Sequence, residues 1–299
     1  MKGHADNYGN NQADALANEG RESESQMTKD DEEWLGNHNA LHDGARLQAL
    51  EARHAYKLIL KWKTKRTPPI LHQEKLEDAK DAIQQYTGLR PTNRKLLTGI
   101  KALRVPPRLK DHMRNMIVSR IKCGPYWTNI PDHEERALCS FCKKEESIDI
   151  LESEQHLWLE CSHNGQHSAW ATAKSIWEKS TERPWPNLSL GLIRGSAAIS
   201  FEDDENKDSE RLRILISMTI WAIWKSRNKK SINDQDVAPN EASTTLRELI
   251  RDLMRKGWNA TRFIKDGRRT IRRRALRSLW ADGHLVVFDP KTGPSVDLF

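Results

Sequence analysis

Four residues between 139 and 161 have the types and spacing of a metal site: Cys139-Ser140-Phe141-Cys142, then His156, then Cys161. Three thiolates and one imidazole form a closed tetrahedral donor set for Zn2+, which selects sulfur and nitrogen ligands. Two cysteines separated by two residues aim both sulfurs at one point. His156 and Cys161 can supply the remaining donors from a helix end or turn across the loop. His163 and His167 stand near enough to substitute for His156. His156 is preferred because Leu157 and Leu159 beside it can pack around a site. A filled tetrahedron has no open position, so the expected metal is structural rather than catalytic. Cys123 lies outside the pattern and reads as a small core residue.

Such donors need rigid supports, and the surrounding periodicity predicts helices. After Pro106-Pro107, the residues Leu109, Met113, Met116, Ile117 and Ile121 recur at helical spacing, with Lys110, Arg114 and Lys122 elsewhere. Residues 169–179, with Trp170 and Trp177, predict a short helix that Pro184 and Pro186 break. Upstream, helices are predicted over 41–63, ending before Pro68-Pro69, and over 71–86, ending at Gly88. Residues 212–224 are apolar nearly all round, which predicts a buried helix with Trp221 and Trp224 in the core. Leu246, Leu249, Ile250, Leu253 and Met254 mark one face of a further helix, with Arg247, Arg251, Arg255 and Arg262 on its opposite side. The stretch HLVVFDPKTGPSVDLF closes the chain as an expected hairpin turning between Pro290 and Gly293. The expected fold class is mainly α-helical with a small zinc-binding module.

Charge is unevenly distributed over the 299 residues, whose net charge is +7. Residues 90–122 carry ten Lys/Arg against Asp111, and residues 251–277 carry eleven against Asp252 and Asp266. Outside these blocks the chain is acidic. Clustered cations release condensed counterions from a phosphate backbone, so the expected partner is DNA, RNA or an RNA–DNA hybrid. Candidate contacts are Arg114 and Lys122 in the first block and Arg251, Arg255, Arg268, Arg269, Arg272, Arg273 and Arg274 in the second. Tyr126 or Trp127 could stack on unpaired bases. The competing expectation is an adaptor whose zinc module and Trp-rich helices bind protein, the arginines being solvated helix faces. The apolar run from Ile214 to Trp224 is eleven residues long, whereas a membrane span needs about 20. The first residues have no apolar core of a secretion signal. The expected setting is intracellular, in nucleus or cytoplasm, with reduced cysteines.

The N-terminus reads Lys2-Gly3-His4, then Gly9-Asn10-Asn11-Gln12-Ala13-Asp14-Ala15-Leu16-Ala17. This resembles the last motif of the ribonuclease H type 1 family. The resemblance implies that residues 1–20 are the residual C-terminal end of an α/β ribonuclease H-like domain. It implies that His4 is the family's loop histidine of proton handling and product departure, that Asp14 is the last of its metal-binding carboxylates, and that Asn10 lies near the active-site loop. The family cuts the RNA strand of RNA–DNA hybrids with paired Mg2+ or Mn2+ ions held by four carboxylates. Only Asp14 has a counterpart here. The chain is therefore expected to be inactive alone, and to be the tail of a longer protein that is started, cut or decayed at this point.

The stretch from Arg108 through SRIKCGPYWTNIPDHEERALCSFC to EQHLWLEC is similar to the reverse transcriptase zinc-binding domain. That domain follows ribonuclease H in the second open reading frame of fungal non-long-terminal-repeat retrotransposons. The family often has Gly-His after the arginine of the preceding helix, where this chain has Cys123-Gly124-Pro125. The implied organisation is a truncated ribonuclease H end (1–20), an acidic linker (21–37), a helical connector (38–104), the zinc-binding-like module (105–182), a basic helical region (206–280) and a C-terminal hairpin or tail (281–299).

Overall fold

The computed structural model describes residues 70–204 and 207–280, the strands Val287–Asp289 and Gly293–Ser295, and helical positions at 15, 18, 56, 57, 59 and 60. The fold belongs to the unit Pro68–Phe299. It is mainly helical. The segment expected to be a ribonuclease H-like end, with His4, Asn10 and Asp14, the expected linker and most of the helix expected over 41–63 lie outside the described residues.

Helix α1 (Ile70–Thr87) stops at Gly88, whose φ of +77° lets its N–H close on the Gln84 carbonyl at 2.8 Å. The Thr92 hydroxyl caps α2 (Asn93–Ala102) by accepting from the Lys95 amide. Pro107 opens α3 (Pro107–Ile117), where its missing N–H costs nothing. Helix α3 buries Leu109, Met113, Met116 and Ile117, the face its spacing predicts. The donor-bearing loop follows, with the short α4 (Ser140–Glu146) inside it and α5 (Gln166–Glu178) after it. Ser189 caps α6 (Leu190–Gly195).

The central element is α7 (Asp208–Ser231), longer at both ends than the apolar run predicts. Asp208 and Glu210 complement the helix dipole in its first turn, and Lys229 and Lys230 do so in its last. Its middle is buried on every side, from Ile214 to Ile220, against α3, α5 and α8 (Glu241–Ala260). Helix α8 turns Leu246, Ile250 and Met254 inward, with Leu249 and Leu253 at the margin. Helix α9 (Asp266–Leu279) packs back on α8 and α7. Val287–Asp289 (β1) and Gly293–Ser295 (β2) then pair antiparallel, Phe288 opposite Pro294. Apolar residues from Ala79 to Trp280 form one continuous cluster, so the segments expected over 105–182 and 206–280 share a core with α1 and α2.

Two devices hold these helices together. The buried Arg211 guanidinium donates to the Leu279 carbonyl at 2.7 Å, the Ser278 carbonyl at 2.9 Å and the Ser180 carbonyl at 3.1 Å, and pairs with Asp208 at 2.6 Å. One cation thus serves the C-terminal ends of α5 and α9, where orphan carbonyls concentrate negative potential. The second device is a close approach of α6 to α1. A Cβ at Gly191 would lie 2.6 Å from the Asp78 carbonyl oxygen, so no side chain fits without parting the helices. An exposed helical glycine usually gains up to about 1 kcal/mol on becoming alanine. Overpacking against a fixed backbone costs about 1–3 kcal/mol, which outweighs that gain. Gly191→Ala should therefore lower stability in urea unfolding, whereas Gly267→Ala, with nothing near its Cβ, should raise it. Equal shifts of one sign would contradict the close approach.

Candidate functional site

The donor loop is held by a small backbone bridge. The Cys139 amide donates to the Ile150 carbonyl and the Glu152 amide to the Ala137 carbonyl, each at 2.8 Å, around the Leu138–Leu151 bridge. Cys139 sits immediately before α4, and Cys142 lies within its first turn. On the opposite side, residues 156–160 form a single π turn closed by the Cys161 amide on the His156 carbonyl at 2.8 Å. That wide turn strands three carbonyls, and side chains satisfy each. Asn164 donates to Leu157, Trp170 to Trp158 and Gln166 to Leu159, at 2.8, 2.8 and 3.3 Å.

The knuckle and the π turn bring Cys139, Cys142, His156 and Cys161 together, their donor atoms within 4.8 Å of one another and all four residues buried. Sγ of Cys161 lies 3.7 Å from Sγ of Cys139 and 3.8 Å from Sγ of Cys142, and Nε2 of His156 lies 3.5 Å from the Cys142 sulfur. A tetrahedral ion bound at about 2.3 Å to sulfur and about 2.05 Å to nitrogen has sulfur–sulfur edges of about 3.8 Å and sulfur–nitrogen edges of about 3.6 Å. These three distances match edges of such a tetrahedron, and the remaining donor pairs lie within 4.8 Å. A disulfide would need about 2.05 Å between sulfurs, and all four cysteines are free. The alternatives to His156 are elsewhere: His163 bonds Glu146 at 2.6 Å, and His167 is exposed. Cys123 is buried outside the group, as expected, and burial pushes its thiol up to about 12.

Hydrogen bonding within the group and burial together set the protonation of the site. The hydrogen bond with Cys161, with burial behind it, pushes the Cys139 thiol up to about 12, and burial pushes Cys142 up to about 11. The bond to Cys139 raises His156 above the usual imidazole range. Without a cation these thiols keep their protons at pH 7. A metal ion must displace them, so binding releases protons and strengthens as pH rises.

Two ion pairs fix the loop to the helices, and sequence reading missed both. Glu152, 1% exposed, receives Arg227 of α7 at 2.9 Å through Nε and 2.5 Å through Nη2. Glu154 receives Arg194 of α6 at 2.7 Å. Nothing in residue type or spacing pairs positions 75 and 40 residues apart. Gly124 adds a steric lock. Its φ is +47°, and a Cβ there would lie 2.5 Å from the Glu152 carbonyl oxygen. The Cys123-Gly124-Pro125 variation thus occupies a place where only glycine fits under this loop.

The candidate phosphate contacts divide by exposure. Arg251, Arg255, Arg262, Arg268, Arg272 and Arg274 are exposed. Arg273 stacks its guanidinium 4.2 Å from the Trp258 ring centroid and donates to Thr261, and Arg269 donates to the Ile264 and Arg262 carbonyls. These two serve the α8–α9 corner. In the first block Arg114 pairs with Asp111, while Lys122 is exposed with its ammonium 5.5 Å from the Tyr126 centroid. Trp221 and Trp224 are half-buried at the edge of the core rather than inside it. No helix among the described residues is long and apolar enough to cross a membrane. No protein-family model, curated protein or solved structure matches the chain.

Two outcomes follow from this geometry. Metal removal should open the loop: after chelation Cys139, Cys142 and Cys161 should alkylate together, with Cys123 protected, and metal affinity should fall as pH is lowered from 8 to 6. Peptide mass mapping that finds the three sulfurs shielded without metal would contradict this. Arg227→Met leaves Glu152 buried and uncompensated, which should cost about 3–5 kcal/mol in denaturant unfolding. The Arg227→Met/Glu152→Gln double variant should recover most of it, and strictly additive losses would rule out the pairing.

Proposed function

We propose that the chain is a zinc-stabilised, arginine-rich helical module that binds nucleic acid through its phosphates. The ion is Zn2+: a buried set of three thiols and one imidazole suits zinc over harder cations, and the full donor set assigns it a structural role. The observation that carries the binding reading is the exposure of the guanidinium groups of Arg251, Arg255, Arg262, Arg268, Arg272 and Arg274 along α8, α9 and their corner. Planar, always-charged donors suit phosphate oxygens, and such contacts hold a backbone without reading its sequence. The resemblances extend the reading: the parent is a retroelement reverse transcriptase protein in which a ribonuclease H precedes this module, and the chain's own part is to grip DNA, RNA or their hybrid.

One observation favours an adaptor instead. Phe263 is 92% exposed and Ile271 71% exposed amid the arginines, and apolar side chains left in water mark protein contacts when they form a patch. Salt separates the two readings. Binding of the purified zinc-loaded chain to duplex should weaken steeply as salt rises, each phosphate contact adding about 0.7–0.9 to the slope of log affinity against log salt. Arg268→Ala/Arg272→Ala/Arg274→Ala should lower the slope by up to about three while leaving zinc content and helicity unchanged. An unchanged slope would remove these arginines from the interface, and salt-insensitive capture of a protein partner without nucleic-acid affinity would favour the adaptor.

A further inference from the structure

A cleft of about 510 Å³ opens beside α3 and α7, lined by Trp221, Trp224, His112 and Trp127 and edged by Arg108 and Arg120. Its volume falls in the range of small-ligand sites, about 300–1,000 Å³. His112 is 94% buried among rings, 5.0 Å from Trp224, 5.4 Å from Trp221 and 5.7 Å from Trp158, centroid to centroid. Its Nε2 is buried with no hydrogen-bond partner. Burial pushes its pKa down to about 4, so the imidazole is neutral at physiological pH and adds an aromatic wall without charge.

The edge of the cleft is cationic. Arg108 and Arg120 are exposed and form no ion pair among the described residues. The acid at this edge, Asp111, is already paired with Arg114. Lys122 contributes a further ammonium. Arg227, at the inner side, is committed to Glu152 and lies over the Trp224 ring. Aromatic walls with unpaired cations around them match a ligand that joins a flat ring to phosphate.

We propose that this cleft receives an unpaired base of a single-stranded nucleic acid against its Trp221 and Trp224 wall, with its flanking phosphates on Arg108, Arg120 and Lys122. The proposal rests on the nucleic-acid reading above and assigns it a strand specificity. A duplex keeps its ring faces covered by its own stacking and meets the exposed arginines of α8 and α9 alone. Several cations at the edge, rather than one, favour a strand over a lone nucleotide.

The test uses the full zinc-loaded chain and fluorescence anisotropy with a short labelled single strand, as DNA and as RNA, and a duplex of equal length. Arg108→Glu/Arg120→Glu changes two exposed side chains, and retained zinc content reports that the variant is folded. Single-strand affinity should fall about tenfold or more while duplex affinity stays within about twofold. A strand carrying a photoreactive pyrimidine should crosslink to peptides containing Trp127 or Trp221–Trp224. Unchanged single-strand affinity, equal losses for both polymers, or crosslinks confined to α8 and α9 would overturn the cleft while leaving the general nucleic-acid reading intact. Displacement of the strand by a nucleoside monophosphate at equal concentration would assign the cleft to free nucleotides and overturn the strand. Absence of any binding by the parent chain to either polymer would remove both readings.

Discussion

The convergence of three sulfurs and one imidazole nitrogen is the constraint on which the region from 137 to 161 depends. Leu157 and Trp158 at its end join the main core, whereas Cys139, Phe141, Cys142 and Cys161 form a separate small cluster, helped by Ile150 and Val237. The few apolar contacts of residues 138–155 cannot repay the ordering of about 18 residues, each costing on the order of 1–2 kcal/mol in backbone entropy. The thiols also resist ionisation, Cys139 through its hydrogen bond with Cys161 and Cys142 through burial. A divalent cation held by the four donors would answer both problems, replacing protons with bonds that close the loop.

The cysteine–histidine group is joined to the body of the fold through charge. Glu152 stands between the knuckle and the π turn and is gripped by Arg227, whose guanidinium also lies over Trp224. Glu154 makes the equivalent connection to α6 through Arg194. Such pairs add little net stability over an apolar contact, but breaking one partner leaves a buried charge. They therefore specify where the loop docks. Through Arg227 the loop's position is tied to the aromatic wall of the neighbouring cleft, so loss of metal should disturb that surface as well as the loop.

Much of this was legible in the sequence because it follows local rules. The cysteine spacing located the donor set, Pro107 and Gly88 marked helix ends, and apolar periodicity found the inner faces of α3 and α8. The choice of His156 over His163 rested on flanking leucines, of which Leu157 is buried. What escaped was non-local. The arginine partners of Glu152 and Glu154, the role of Arg211 at two helix ends and the glycine contacts of α6 depend on residues distant in the chain. Charge counting treated Arg269, Arg273 and Arg274 alike, whereas the fold commits the first two to neighbouring groups. Trp221 and Trp224 lay in an apolar run and were expected inside, but α7 reaches the surface at their level beside α3. Periodicity reports which residues are apolar, and the packing of other elements decides which are covered.

In the proposed structure of the site, one zinc ion occupies the group formed by Cys139, Cys142, His156 and Cys161. X-ray absorption at the zinc edge of the purified chain tests it most directly, because it reads both the metal and its neighbours. The account predicts one zinc per chain with three sulfurs at about 2.3 Å and one nitrogen at about 2.0–2.1 Å, and loss of one sulfur in Cys161→Ser but not in Cys123→Ser. A chain without zinc, or a zinc coordinated by oxygen and nitrogen alone, would contradict it.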